Sequence, residues 1–271
     1  MAFVGERDAS AKAPARHHCR LRSYSVLPSG YLDWQLGSSE GRDRGCSKEN
    51  EGQASGVFKE CFSLKPETCI LDLGSGTREH IDLLLVGTPV EPSNVYIADI
   101  DANAIAQGEE RSGFTAVRIL KSDSLPFPDR FLDLVFCSSV IEHVTIPKRE
   151  SWFLRSAVEF AKRASRRQQE FANKIRRLGE GYFVQTRIKW FPMESRTWLP
   201  FIGYLPRRLL IPVLRITNRI WIKQTAPDWS LLTRREMARL FPEAELKIER
   251  YCGFSKYIMA IRREQANQAA R

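Results

Sequence analysis

A chain of 271 residues with 43% hydrophobic content is long enough to bury one α/β core of ordinary size together with additions. No run of about 18 uninterrupted apolar residues occurs, which argues against a membrane-crossing helix. With 42 Lys and Arg against 32 Asp and Glu the net charge is +10, which disfavours cationic partners and keeps anionic lipid and nucleic acid open.

Residues 1–55 are rich in Gly, Ser and charge, as in Gly37-Ser-Ser-Glu-Gly-Arg-Asp-Arg-Gly45, and predict a mostly disordered extension with 32–36 docking locally. Met1 to Arg20 lacks an apolar stretch of signal-peptide type, so a cytoplasmic location is expected. The six cysteines (19, 46, 61, 69, 137 and 252) show no C-x-x-C pairing, and neither a zinc site nor a disulfide framework is expected. His17-His18-Cys19 lacks partners at ligand spacing and reads as part of the tail. From 56 onward strand and helix patterns alternate. Strands are predicted near 68–73, 94–99, 116–120, 132–138 and 181–186, with helices near 79–86, 102–111 and 148–178 between them. A helix over 212–223, another over 234–240 and an antiparallel pair at 244–250 and 256–261 follow. Cys69 and Cys137 fall inside strands and are expected to be buried thiols.

The segment Cys69-Ile-Leu-Asp-Leu-Gly-Ser-Gly-Thr77 joins an apolar run of strand length to Gly-x-Gly. That puts a tight turn at the carboxyl end of a buried strand, where an α/β sheet binds its ligand. Gly-x-Gly is shared by dinucleotide and S-adenosylmethionine sites. A dinucleotide fingerprint wants a third glycine where this chain has Glu79. With Asp72 on the other side of the turn, that carboxylate repels phosphate and favours a ligand bearing a sulfonium and an ammonium. The next strand ends at Asp99, 23 positions after Gly76, a spacing that suits an acid holding ribose hydroxyls. Asp101 competes for that role but reads as the N-cap of the following helix.

With Ser122-Asp-Ser-Leu-Pro-Phe-Pro-Asp129 and the run through Glu142-His143 added, residues 68–144 resemble the class I S-adenosylmethionine-dependent methyltransferases, in particular the group acting on small molecules and lipids. The resemblance implies a Rossmann-like α/β fold: a seven-stranded sheet, mostly parallel with the last strand antiparallel, and helices on both faces. It implies S-adenosylmethionine as cofactor, held by Asp72, Gly74, Ser75, Gly76, Asp99, Ile100, Asp123, Ser124 and Ser138. Lys121 stands where relatives often carry an acid, so the adenine contact falls to Asp123, Ser122 or a backbone amide, and Asp123 is assigned. His143 is a candidate general base, since imidazole titrates near neutrality; a structural histidine at a helix start is the other reading. No metal is implied.

Basic charge concentrates late in the chain. Residues 148–178 carry ten Lys and Arg against three Glu, and 187–223 carry eight against one. The stretch from Arg187 to Pro206, with Trp190-Phe-Pro-Met-Glu194 inside it, resembles an insert of bacterial family members associated with glycan or lipid biosynthesis. Glu194 matches that insert and is implied as an acceptor contact, whereas Arg187, Ile188 and Arg196 depart from it. On the helix over 212–223, Arg215 and Arg219 continue a line from Arg208, beside Leu209, Val213, Ile216 and Ile220. This suits a helix lying on an anionic membrane; the alternative is a helix packed on its own domain with a solvated edge. The expected protein is therefore a methyltransferase domain over 56–271, with an acceptor-facing insert at 187–230. Its acceptor is a small or lipid- or glycan-linked molecule, and peripheral contact with an anionic membrane stays open. An RNA methyltransferase and a non-catalytic cofactor-binding relative are the alternatives.

Overall fold

The computed structural model describes residues 55–74, 79–99, 113–119, 125, 127–191, 201–220 and 224–263. The N-terminal extension and the helix expected over 102–111 lie outside them. Strands β1 to β7 are Ile70–Leu73, Val95–Asp99, Thr115–Arg118, Leu132–Ser138, Gly179–Arg187, Glu245–Tyr251 and Phe254–Arg262. The helices are α1 (55–61), α2 (Glu79–Leu85), α3 (Lys148–Ser151), α4 (Ala157–Leu178), α5 (Arg207–Ile220) and α6 (Arg234–Leu240).

The strands join in one sheet of order β3-β2-β1-β4-β5-β7-β6. Six point the same way and β7 opposes them, pairing antiparallel with both β5 and β6. This is the Rossmann-like sheet that the resemblance implied. The chain builds outward from β1 through β2 to β3, then returns to start again on the other side with β4. That reversal opens a crevice at the carboxyl ends of β1 and β4.

β1 and β2 read as continuous apolar runs because both faces of the sheet are covered. One face sends Leu71, Leu73, Tyr96, Val135 and Tyr182 against Ala172, Ile175 and Leu178 of α4 and Met237 and Leu240 of α6. The other sends Ile70, Ile97, Leu134, Phe136 and Phe183 against Phe58 of α1 and Ile81 and Leu84 of α2. Phe58, fully buried, stacks edge-on against both Phe136 and Phe183, so α1 belongs to the core.

Three expectations are corrected. The helix read over 148–178 is two helices, because Ser156 accepts a hydrogen bond from the Glu159 amide at 3.3 Å and starts α4 afresh. The helix read over 212–223 begins earlier, after Pro206, and carries Pro212 in its interior on the exposed side. Cys69 is disulfide-bonded rather than a thiol, whereas Cys61, Cys137 and Cys252 are free. Among the described residues no helix is long and apolar enough to cross a membrane.

Arg207, 6% exposed, ties α5 to the rest of the chain. Its guanidinium donates to the carbonyls of Leu154 (2.6 Å), Ser151 (2.6 Å) and Pro227 (2.8 Å) and lies 3.7 Å from the Phe160 ring centroid. Burial draws its pKa down to about 10, against the opposing pull of Asp228, so it remains a cation at neutral pH. Arg207→Met strands those carbonyls and leaves Asp228 without this charge, and should lower stability by about 3–5 kcal/mol in urea denaturation. A loss below about 1 kcal/mol would mean the clamp contributes little.

Candidate active site

The site is built at the carboxyl edges of β1, β2 and β4. Asp72 pairs in register with Ile97 on β2 and Phe136 on β4, and Asp99 lies two residues beyond Ile97. Side chains two apart on a strand share a face, so Asp72, Asp99 and Ser138 project from the same side of the sheet. Asp72 and Asp99 are 3% and 6% exposed. Carboxylates this deep are costly unless they meet donors or cations.

β1 ends in Gly74, whose φ of 83° is open to glycine at little cost. Its amide donates to the Ala98 carbonyl at 2.7 Å, which pins the turn to β2. A Cβ on Gly74 would overlap Cγ2 of Val140 and come within 3.0 Å of its Cγ1. The loop after β4 therefore lies directly on the glycine turn. Ser139 turns this loop with a left-handed φ of 57° while its amide bonds the Gln185 carbonyl at 2.9 Å.

A 3-10 turn, Ile141–His143, follows and is held from several sides. Gln168 of α4 donates to the carbonyls of Ile141 (3.0 Å) and Ser230 (2.9 Å). The Ser230 amide bonds the Glu142 carbonyl at 2.7 Å, and Thr145 Oγ1 bonds the Asp228 carbonyl. Glu142 is buried, and its Oε2 accepts from Thr186 Oγ1 at 2.6 Å. His143 is 6% exposed at the end of the turn. Cys137, in β4 between these groups, has its thiol pKa pushed well up, first by burial and then by Asp72 and Glu142. It is a protonated packing residue rather than a nucleophile.

Across β5 the same edge carries a basic and aromatic wall. Arg187 reaches the Tyr257 hydroxyl at 3.5 Å, and its guanidinium carbon lies 5.7 Å from that ring's centroid. Lys256, buried, lies 4.7 Å from the ring of Tyr251 and 5.4 Å from that of Tyr257. Burial raises the carboxyl pKa of Glu249 beside it, and Lys256 opposes that rise.

Of the residues singled out from sequence, Asp72, Gly74, Asp99, Ser138 and His143 are placed along this edge. Ser75, Gly76, Ile100, Asp123, Ser124 and Glu194 lie outside the described residues. Sequence reasoning missed Val140 and Thr186, which act through contacts across 66 and 44 positions with no local signature.

Residues 71–172 match the family model described as a methyltransferase domain. The ubiquinone/menaquinone biosynthesis C-methyltransferase of Xanthomonas oryzae pv. oryzae is 34% identical over 95 residues, which cover 32% of this chain and 37% of that protein. The match thus spans little more than a third of that relative's length. Among solved structures, a possible exported protein from Bordetella parapertussis aligns with TM-score 0.51 and 10% identity, over 80% of this chain and 68% of that one. The PH0226 protein from Pyrococcus horikoshii OT3 aligns with TM-score 0.50 and 13% identity, over 82% and 93%. At these identities the two structures speak to the fold alone.

The family match falls on a doubly wound sheet with acids and a glycine turn at its switch point. Over residues 71–172 the match supports a class I S-adenosylmethionine-dependent methyltransferase domain. The residues present fit that cofactor: Gly74 keeps clear a turn that a Cβ would fill, and Asp72 and Asp99 offer acceptors on one face beside it.

Proposed function

We propose that the protein methylates a small-molecule acceptor or one linked to a lipid or a glycan. The carrying observation is the juxtaposition of Asp72, Gly74 and Asp99 on adjacent strand ends, roofed by Val140. Asp99 holds the ribose hydroxyls, and the turn at Gly74 receives the amino-acid end of the cofactor. The bound sulfonium supplies a methyl group that is already activated, so the protein's part is to align the acceptor and exclude water. His143 takes a proton from the acceptor where the acceptor must lose one. The fixed 3-10 turn keeps that imidazole in one position, because Gln168 and Ser230 bind its backbone.

The wall of Arg187, Lys256 and Tyr257 supports an acceptor with both charge and a ring or chain to pack. The Xanthomonas relative's role in quinone biosynthesis supports a small-molecule acceptor. Cell extract incubated with full-length protein and methyl-labelled S-adenosylmethionine should place label in the organic-solvent or oligosaccharide fraction. Label in RNA instead would favour the RNA reading. Absence of cofactor binding by calorimetry would remove the enzymatic reading.

A further inference from the structure

The two basic segments behave differently in the fold. On α4 four of the five arginines are answered by the chain's own acids: Arg163 meets Glu150, Arg166 meets Glu170, Arg176 meets Glu243 and Arg177 meets Asp129, all within 3.0 Å. α5 contains no acidic residue, and among the described residues Arg208, Arg215 and Arg219 meet no carboxylate.

α5 also breaks the usual division between packed and solvated faces. It packs on the domain through Arg207, Leu210, Ile211 and Leu214, against Ile202 and Trp229. Its outward face is then Arg208, Leu209, Pro212, Arg215, Ile216, Arg219 and Ile220. Leu209, Ile216 and Ile220 are 54, 60 and 78% exposed. The outward side of a helix that merely caps its own domain is polar. Here every outward residue is an arginine, a branched aliphatic or proline.

A hollow of about 470 Å³ opens beside this face, lined by Arg149, Trp152, Phe153, Arg215 and Asn218. Phe153 is 77% exposed at its rim. Arg215 donates to the Trp152 carbonyl at 3.1 Å, its guanidinium carbon 6.0 Å from the indole centroid, so one arginine is held at the mouth.

We infer that the outer face of α5, with Phe153 and the hollow between α3 and α5, docks on the surface of an anionic lipid bilayer. The arginines meet lipid phosphates, one headgroup entering between Arg149 and Arg215. Leu209, Ile216, Ile220 and Phe153 enter the acyl boundary, as the apolar side of an interfacial helix does. Charge complementarity selects this occupant: unanswered cations want a polyanion, and exposed aliphatics between them want hydrocarbon. Nucleic acid meets the first demand and not the second, because its bases stack on aromatic faces rather than on isoleucine. The inference does not depend on the acceptor or on methyl transfer.

Full-length protein is sedimented with phosphatidylcholine vesicles with and without phosphatidylglycerol. Binding is expected to the anionic vesicles alone and to fall with salt. Arg215→Gln with Arg219→Gln should weaken it about 30-fold, from about fivefold per charge near the surface. Ile216→Ser with Ile220→Ser should weaken it by at least about tenfold, with unchanged thermal melting of both variants as the folding control. Equal binding to both vesicle types, or indifference to both pairs of substitutions, overturns the inference. So does tighter binding to RNA than to vesicles, or a stable dimer in sedimentation equilibrium that Ile216→Ser dissociates.

Discussion

Asp99→Ala is expected to weaken S-adenosylmethionine binding about 100-fold. The expected loss follows from the proposed cofactor pose, in which two ribose hydroxyls donate to the Asp99 carboxylate, each such hydrogen bond being worth about 1.5 kcal/mol, and about 3 kcal/mol is about 100-fold. Cofactor at 100 times the wild-type Kd stabilises the wild type by about 2.7 kcal/mol, whereas the variant at that concentration gains about 0.4 kcal/mol. At about 2–4 °C per kcal/mol, the wild-type melting point rises by about 5–10 °C and that of the variant by about 1 °C. Equal shifts for both would take Asp99 out of the site. A variant that fails to fold would instead show that the carboxylate is held by its own domain.

The elements nearest the site were legible for a physical reason. Strands covered on both faces must be apolar throughout, so β1, β2 and β4 stood out as runs, and the acid and glycine that end β1 marked the carboxyl edge. The break before α4 was written in Ser156-x-x-Glu159, a helix-start signal, but the basic and apolar periodicity on either side of it masked the interruption. For α5, Pro212 looked like a first-turn proline, the commonest place for one. The helix begins five residues earlier because Arg207 is anchored by carbonyls 20 to 56 positions away, and no local rule reports such partners. The disulfide at Cys69 was hidden in the same way, since pairing depends on proximity in space rather than on spacing.

The same distinction separates the two faces of α5. Helical periodicity showed a basic line beside an apolar stripe but not which of them faces the protein. In the fold the inward residues are Leu210, Ile211 and Leu214, so much of the stripe of Leu209, Val213, Ile216 and Ile220 is left outside. A sequence with apolar residues on both sides of a helix reports two surfaces, one of which the chain itself covers.

Gly74→Ala should destabilise the protein by about 2–5 kcal/mol and abolish cofactor binding, and its partner Val140→Ala shows why. Two separate terms are at stake. Alanine at a φ of 83° costs about 1–2 kcal/mol whatever surrounds it. Its methyl group also overlaps the Val140 side chain, and forced overpacking of this kind costs about 1–3 kcal/mol. Val140→Ala removes the overlapping Cγ atoms, so the double variant should recover the second term and keep the first. A double-mutant cycle in urea should therefore yield a coupling of about 1–3 kcal/mol between positions 66 residues apart. Binding should recover only in part, because the turn that receives the cofactor remains strained at its first residue. Full additivity of the two substitutions would mean that the loop after β4 does not lie on the glycine turn, and Val140 would then have no place in the roof of the site.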